Sequence, residues 1–158
     1  MKKIVLVVVA IFGFAMTSNA QQISKNALGL RLGDSDGLGA EISYQRSLGD
    51  TNRLEIDLGW RNGNNFDGFK ATGLYQWIWQ LDGRFNWFAG AGGGLGSYSF
   101  DNNTIEDETF LFAAGTLGIE YNFEIPLLIS LDVRPELGFG DFRDDLDFDI
   151  ALGIRYQF

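Results

Sequence analysis

The sequence predicts an all-β protein, an eight-stranded antiparallel up-and-down transmembrane β-barrel. Three observations carry this. Apolar and polar residues alternate with a period of two in eight successive stretches, the mark of strands with two unlike faces. The apolar set is too bulky to be enclosed by eight strands, whose barrel is only just wide enough for side chains. The stretches are joined alternately by short turns and longer polar loops, as in barrels that cross a membrane.

The last stretch shows the alternation most clearly. In Leu146 to Phe158, the residues Leu146, Phe148, Ile150, Leu152, Ile154, Tyr156 and Phe158 are all apolar or aromatic, and Asp147, Asp149, Ala151, Gly153, Arg155 and Gln157 are charged, polar or small. The other strands follow in order. Strand one spans about 27–33, with Leu28, Leu30 and Leu32 opposite Arg31. Strand two, about 37–46, sets Leu38, Ala40, Ile42 and Tyr44 against Glu41, Ser43 and Gln45. Strand three, about 52–62, sets Leu54, Ile56, Leu58 and Trp60 against Arg53, Glu55, Asp57 and Arg61. Strand four, about 68–81, sets Phe69, Ala71, Tyr75, Trp77 and Trp79 against Lys70, Thr72, Gln76 and Gln80. Strand five, about 85–98, is blurred by the run AGAGGGLG. Strand six, about 109–123, sets Leu111, Ala113, Leu117, Ile119, Tyr121 and Phe123 against Thr116, Glu120 and Asn122. Strand seven, about 127–139, sets Ile129, Leu131, Val133, Pro135, Leu137 and Phe139 against Ser130, Asp132, Arg134 and Glu136.

The bulky face is expected to meet lipid, and the face of Gly, Ala, Ser, Thr and paired charges to fill the interior. The aromatics support this by clustering at two heights. Tyr44, Trp77, Trp79, Phe85, Trp87, Tyr121, Phe123, Tyr156 and Phe158 fall near the short-turn end, and Trp60, Phe69, Phe139 and Phe148 near the long-loop end. Aromatic rings favour the membrane–water interface, so two girdles around an aliphatic band fit a bilayer.

Residues 1–20 read as a cleaved secretory signal peptide. Lys2 and Lys3 give a basic start, Ile4 to Phe14 an apolar run, and Ser18-Asn19-Ala20 a small-residue cleavage site ahead of Gln21. The barrel is then 21–158, and losing the two lysines takes the formal charge from −9 to −11. That charge argues against nucleic acid as a partner. The chain has no cysteine, which excludes disulfides and thiolate metal sites, and no histidine, which excludes Ser-His and Asp-His chemistry.

Charged residues divide between the interior face and the loops. Arg31, Arg53, Arg61, Lys70, Arg134 and Arg155 share the interior face with Glu41, Glu55, Asp57, Glu120, Asp132, Glu136 and Asp149. This near balance suits a core of buried ion pairs, since an unpaired buried charge is costly. Within it, Arg134 is expected to be held between Asp132 and Glu136 on its own strand. A selectivity lining or a catalytic carboxylate pair is the other reading. The excess acid lies at the long-loop end, in Asp34, Asp36, Asp67, Asp101, Glu106, Asp107, Glu108, Asp141, Asp144 and Asp145, with Arg143 beside them. A solvated rim or divalent-cation binding beside lipopolysaccharide would use such a set. The stretch Asp34 to Gly37 lacks the later ligands of a calcium loop. The glycine run Gly90 to Gly96 lacks the Lys-Ser/Thr of a phosphate loop and instead suggests curvature or close approach of strands.

Leader, eight alternating strands and a final IRYQF together resemble the small OmpA/OmpX-type outer-membrane β-barrels. The Ala20–Gln21 junction is similar to export signals of Bacteroidota. The resemblance implies residence in the outer membrane of a Gram-negative bacterium, a monomer, and contact with outer-membrane lipid and lipopolysaccharide. It also implies delivery to the barrel-assembly machinery through the C-terminal strand, with Phe158, Tyr156, Ile154 and Leu152 as the signal. Such folds host several functions. The expectation is a non-enzymatic, porin-like barrel without cofactor or metal, serving envelope structure or surface interaction through an acidic rim. The alternatives are an outer-membrane enzyme acting on lipid or peptide, and a narrow pore.

Overall fold

In the computed structural model, residues 23–33, 39–62, 66–100, 108–139 and 146–158 are described. They form eight strands: β1 (Asn26–Gly33), β2 (Gly39–Ser47), β3 (Asn52–Asn62), β4 (Phe66–Asp82), β5 (Phe85–Phe100), β6 (Glu108–Asn122), β7 (Leu127–Phe139) and β8 (Leu146–Gln157). Each pairs antiparallel with its neighbour in sequence, and β8 returns to β1, from Ala27 opposite Gln157 to Gly33 opposite Ala151. The sheet is therefore a closed barrel without an edge. The expected signal peptide, the stretch 34–37 and the rim residues Asp34, Asp36, Asp101, Glu106, Asp107, Asp141, Arg143, Asp144 and Asp145 lie outside the described residues. So do the side chains of Arg61, Asp67 and Glu108.

The short turns follow from local chemistry. Gly83 and Arg84 turn β4 into β5, and Gly83 sits at φ +54°, a region glycine enters without steric cost. The Gln80 side-chain amide donates to the Gly83 carbonyl at 2.8 Å and ties the turn down. Ser47 closes the β2–β3 turn by donating its hydroxyl to the Gly49 carbonyl at 2.7 Å.

Alternation sorts the faces along every strand. In β8 the even residues from Leu146 to Phe158 are exposed, whereas Asp149, Ala151, Gly153, Arg155 and Gln157 are buried. Leu30, Ile42, Leu131 and Ile150 form part of a continuous apolar outer surface, each between 45% and 60% exposed. Isolated exposed apolar residues are ordinary, but an unbroken apolar belt marks a surface that does not face water.

The interior differs from the sequence expectation in one respect. Leu74, Ile78, Phe88, Phe110, Phe112, Ala114 and Leu128 are buried among the polar residues. The inward face is thus not limited to small residues and charges. Glycine makes the room. Phe112 lies opposite Gly94, Phe110 opposite Gly96 and Phe88 opposite Gly118, so each inward ring covers a position with no side chain of its own. This is the pairing by which aromatic rings shield glycine in curved sheets. The run Gly90 to Gly96 is where β5 yields interior space to β4 and β6.

Candidate functional site

The barrel interior gathers the chemistry. On the side of β4, β5 and β6 it is largely apolar, with Leu74, Phe110, Phe112 and Ala114 forming a cluster. On the side of β7, β8, β1, β2 and β3 it is charged. Arg31, Arg53, Arg134 and Arg155 are buried there with Glu41, Glu55, Asp57, Asp132, Glu136 and Asp149, and Lys70 of β4 and Glu120 of β6 meet them from the other wall, none more than 6% exposed.

These groups are wired together across the lumen. Arg31 donates through Nη2 to Asp132 Oδ1 at 2.6 Å, and through Nη1 to Asp149 Oδ2 at 2.5 Å and Glu41 Oε2 at 3.1 Å. The same Glu41 oxygen accepts from Arg134 Nη1 at 3.1 Å. Arg134 Nη2 reaches Glu55 Oε1 at 3.5 Å and forms its shortest contact with Asp57 Oδ2. Glu55 Oε2 in turn accepts from Arg155 Nη2 at 3.1 Å and from the Gln45 amide at 2.5 Å. The result is a continuous ionic chain, Arg31–Glu41–Arg134–Glu55–Arg155. Two further pairs flank it, Lys70 with Glu136 at 2.5 Å and Arg53 with Glu120 at 2.7 Å.

Arg134 therefore departs from the expected arrangement. It is not held between Asp132 and Glu136, which turn instead to Arg31 and Lys70. Its partners come from β2 and β3 on the far wall. Residues two apart on one strand stand nearly parallel and about 7 Å apart, whereas side chains from opposite walls meet head to head in a narrow barrel.

Neutral partners complete the network. Arg155 donates to Ser43 Oγ at 2.9 Å and Ser130 Oγ at 2.8 Å, and Arg53 Nε to Gln76 Oε1 at 2.6 Å. Two cations also lie against inward rings, Arg53 4.9 Å from the Phe88 ring centre and Lys70 5.1 Å from that of Phe112. Such contacts strengthen when desolvated. Phe88, Phe110 and Phe112 were not among the expected interior residues, yet parity marks them. Phe88 shares its face with Asn86, and Phe110 and Phe112 share theirs with Thr116 and Glu120. At the short-turn mouth, a cavity of about 10 Å³ lined by Gln45, Arg53, Asn86, Glu120 and Gln157 is the size of one water position.

One ion pair outside the lumen gives a contrast. Arg84 meets Glu124 at 3.1 Å with both side chains open to solvent. Exposed pairs contribute little. Arg84→Gln is expected to shift the urea unfolding midpoint by no more than about 0.5 kcal/mol equivalent, which a titration in detergent micelles will read.

The aromatics of the outer face pack against one another towards both ends of the strands. At the short-turn end, Trp79 stacks on Trp87 with ring centres 4.3 Å apart, Tyr121 packs edge-on against Phe85 and Phe123, and Tyr156 stacks with Phe158. Trp77 packs edge-on against Tyr75, and the Tyr44 hydroxyl donates to Asn26 Oδ1 at 2.8 Å. At the other end, Trp60 packs on Phe69 at 5.8 Å.

No family model matches the chain, and no curated protein matches it. Solved structures do. The N-terminal β-barrel domain of Pseudomonas aeruginosa OprF superposes with a TM-score of 0.74 at 13% identity, covering 87% of this chain and 100% of that one. The fold is that of the outer-membrane β-barrels. Neisserial surface protein A superposes at 0.63 with 13% identity, over 84% of this chain and 94% of the other. Ail, the attachment invasion locus protein of Yersinia pestis, superposes at 0.57 with 15% identity, over 85% and 97%. Ail has also been solved as an outer membrane protein in a phospholipid bilayer nanodisc.

Proposed function

We propose that the chain is a non-enzymatic integral barrel of the outer membrane of a Gram-negative bacterium, serving envelope structure or surface interaction. The observation that carries this reading is the filled interior enclosed by an apolar outer wall. Each buried carboxylate of the network meets a cation inside the barrel, so a substrate has no approach to it. The ionic chain occupies the axis that a pore would need. Outer-membrane phospholipid and lipopolysaccharide are the proposed surroundings, with the acidic loop residues as the outward rim. The barrel-assembly machinery is the proposed partner in biogenesis, through the β8 face that ends in Tyr156 and Phe158.

Cell fractionation and gel migration test the membrane reading. The protein is expected with outer membranes, and unboiled samples are expected to migrate differently from boiled ones because the closed barrel resists detergent. Recovery in the soluble periplasm, with one mobility regardless of heating, would overturn it. Planar-bilayer recording tests the closed interior, for which no steady conductance is expected.

A further inference from the structure

The outer wall carries one charge that the lumen does not explain. Among the outward-parity strand residues whose side chains are described, Arg46 alone is charged, continuing the run Ala40, Ile42 and Tyr44. It is exposed. Arg31, Arg53, Lys70, Arg84, Arg134 and Arg155 all meet carboxylates. Among the described residues Arg46 meets none.

Its surroundings are built for more than solvent. Arg46 lies opposite Asn26 on β1 and Leu54 on β3. Asn26 in turn pairs with Phe158, donating its backbone N–H at 3.1 Å and accepting at 2.9 Å. The outward row at the short-turn end is thus Phe158, Asn26, Arg46, Leu54. The next row inward is Tyr156, Leu28, Tyr44, Ile56. The Tyr44 hydroxyl occupies Asn26 Oδ1 at 2.8 Å, which leaves the Asn26 amide nitrogen as a donor at the strand position opposite Arg46.

We propose that Arg46 and Asn26 form a binding site for the phosphate of a membrane phospholipid in the leaflet at the short-turn end. The proposal rests on the membrane reading above. A charge on a lipid-facing wall is costly at the bilayer midplane and nearly free at the interface, which is where this row of aromatics lies. A guanidinium offers a fork of donors that matches phosphate oxygens, and the Asn26 amide adds another beside it. Below the charge, Leu28, Ile42 and Ile56 give acyl chains an apolar wall. That wall separates a lipid from free phosphate, which has nothing to place there.

The test is native mass spectrometry of the folded protein released from micelles doped with phosphatidylglycerol, comparing wild type, Arg46→Gln and Asn26→Asp. Wild type is expected to retain the lipid, and Arg46→Gln to retain it about fivefold less, the share one basic side chain contributes near a membrane surface. Asn26→Asp keeps the arginine but sets a carboxylate against it, so its retention is also expected to fall. Added inorganic phosphate is expected not to displace the lipid. Equal retention by all three proteins, or displacement by inorganic phosphate, would overturn the site. Insertion of the wild type into vesicles, read by heat-dependent migration, is measured alongside. A wild type that does not insert removes the membrane reading itself, whereas insertion with equal retention removes only the site.

Discussion

Replacing Arg134 with leucine is expected to lower unfolding stability by roughly 3–5 kcal/mol, the usual cost of removing one partner of a buried charge set. Arg134 is fully buried, and it is the link between Glu41, Glu55 and Asp57. Leucine leaves those carboxylates enclosed with less positive charge among them. Arg31 still holds Glu41, and Arg155 still holds Glu55. Asp57 has no other ion-pair partner among the described residues, so it bears most of the loss. The outer face is unchanged, so membrane insertion is expected to survive. Urea titration in micelles or liposomes reads the loss, and double variants locate it. Arg134→Leu with Asp57→Asn is expected to regain part of the midpoint, because the stranded charge is gone. Arg134→Leu with Asp132→Asn is expected to regain nothing, since Asp132 belongs to Arg31. The opposite ranking would restore pairing along the strand and refute pairing across the lumen. An unchanged midpoint with a new steady conductance would instead make the interior a pore lining.

Gly94→Val is expected to be the second most damaging change. A Cβ at Gly94 would lie 2.1 Å from the Ala71 carbonyl oxygen and 2.5 Å from Phe112 Cζ. One obstacle is backbone and cannot rotate away. The other is the ring that covers the glycine and faces Lys70. Overpacking costs about 1–3 kcal/mol where side chains can adjust, and the backbone clash puts this site at or above the upper end. Gly73 supplies the control. It faces the other side of the sheet, and a Cβ there meets nothing within 4 Å. Gly73→Val is therefore expected to leave the urea midpoint near that of the wild type. Equal effects at the two glycines would show that interior space is not what β5 supplies.

These two sites also mark how far the sequence could be read. The eight strands and their outward faces were legible, because a period of two needs only neighbouring residues to be visible. The expected interval 127–139 for β7 is the observed strand, and most others differ by one or two residues at an end. β5 was blurred because glycine has no side chain to assign to a face. Its function as space for Phe110 and Phe112 depends on which strand lies beside it and at what register. The position of Arg46 is illegible for a related reason. It sits at the end of its strand, where its outward parity is plain, but its exposure and lack of a carboxylate are properties of the assembled wall.

The amino-acid sequence by itself determined the class of fold, the direction of each strand face and, Arg46 apart, the placing of the described strand charges on the interior face. Those features follow from local alternation and from the free energy of burying charge or exposing apolar surface. The tertiary structure alone decided the partners. Closing β8 onto β1 brings Arg134 of β7 head to head with Asp57 of β3, residues separated by 77 positions in the chain. It also sends Asp132 to Arg31 across 101 positions. Parity says that these groups share an interior. Only the stagger of eight strands around a narrow axis brings particular ones within reach of each other.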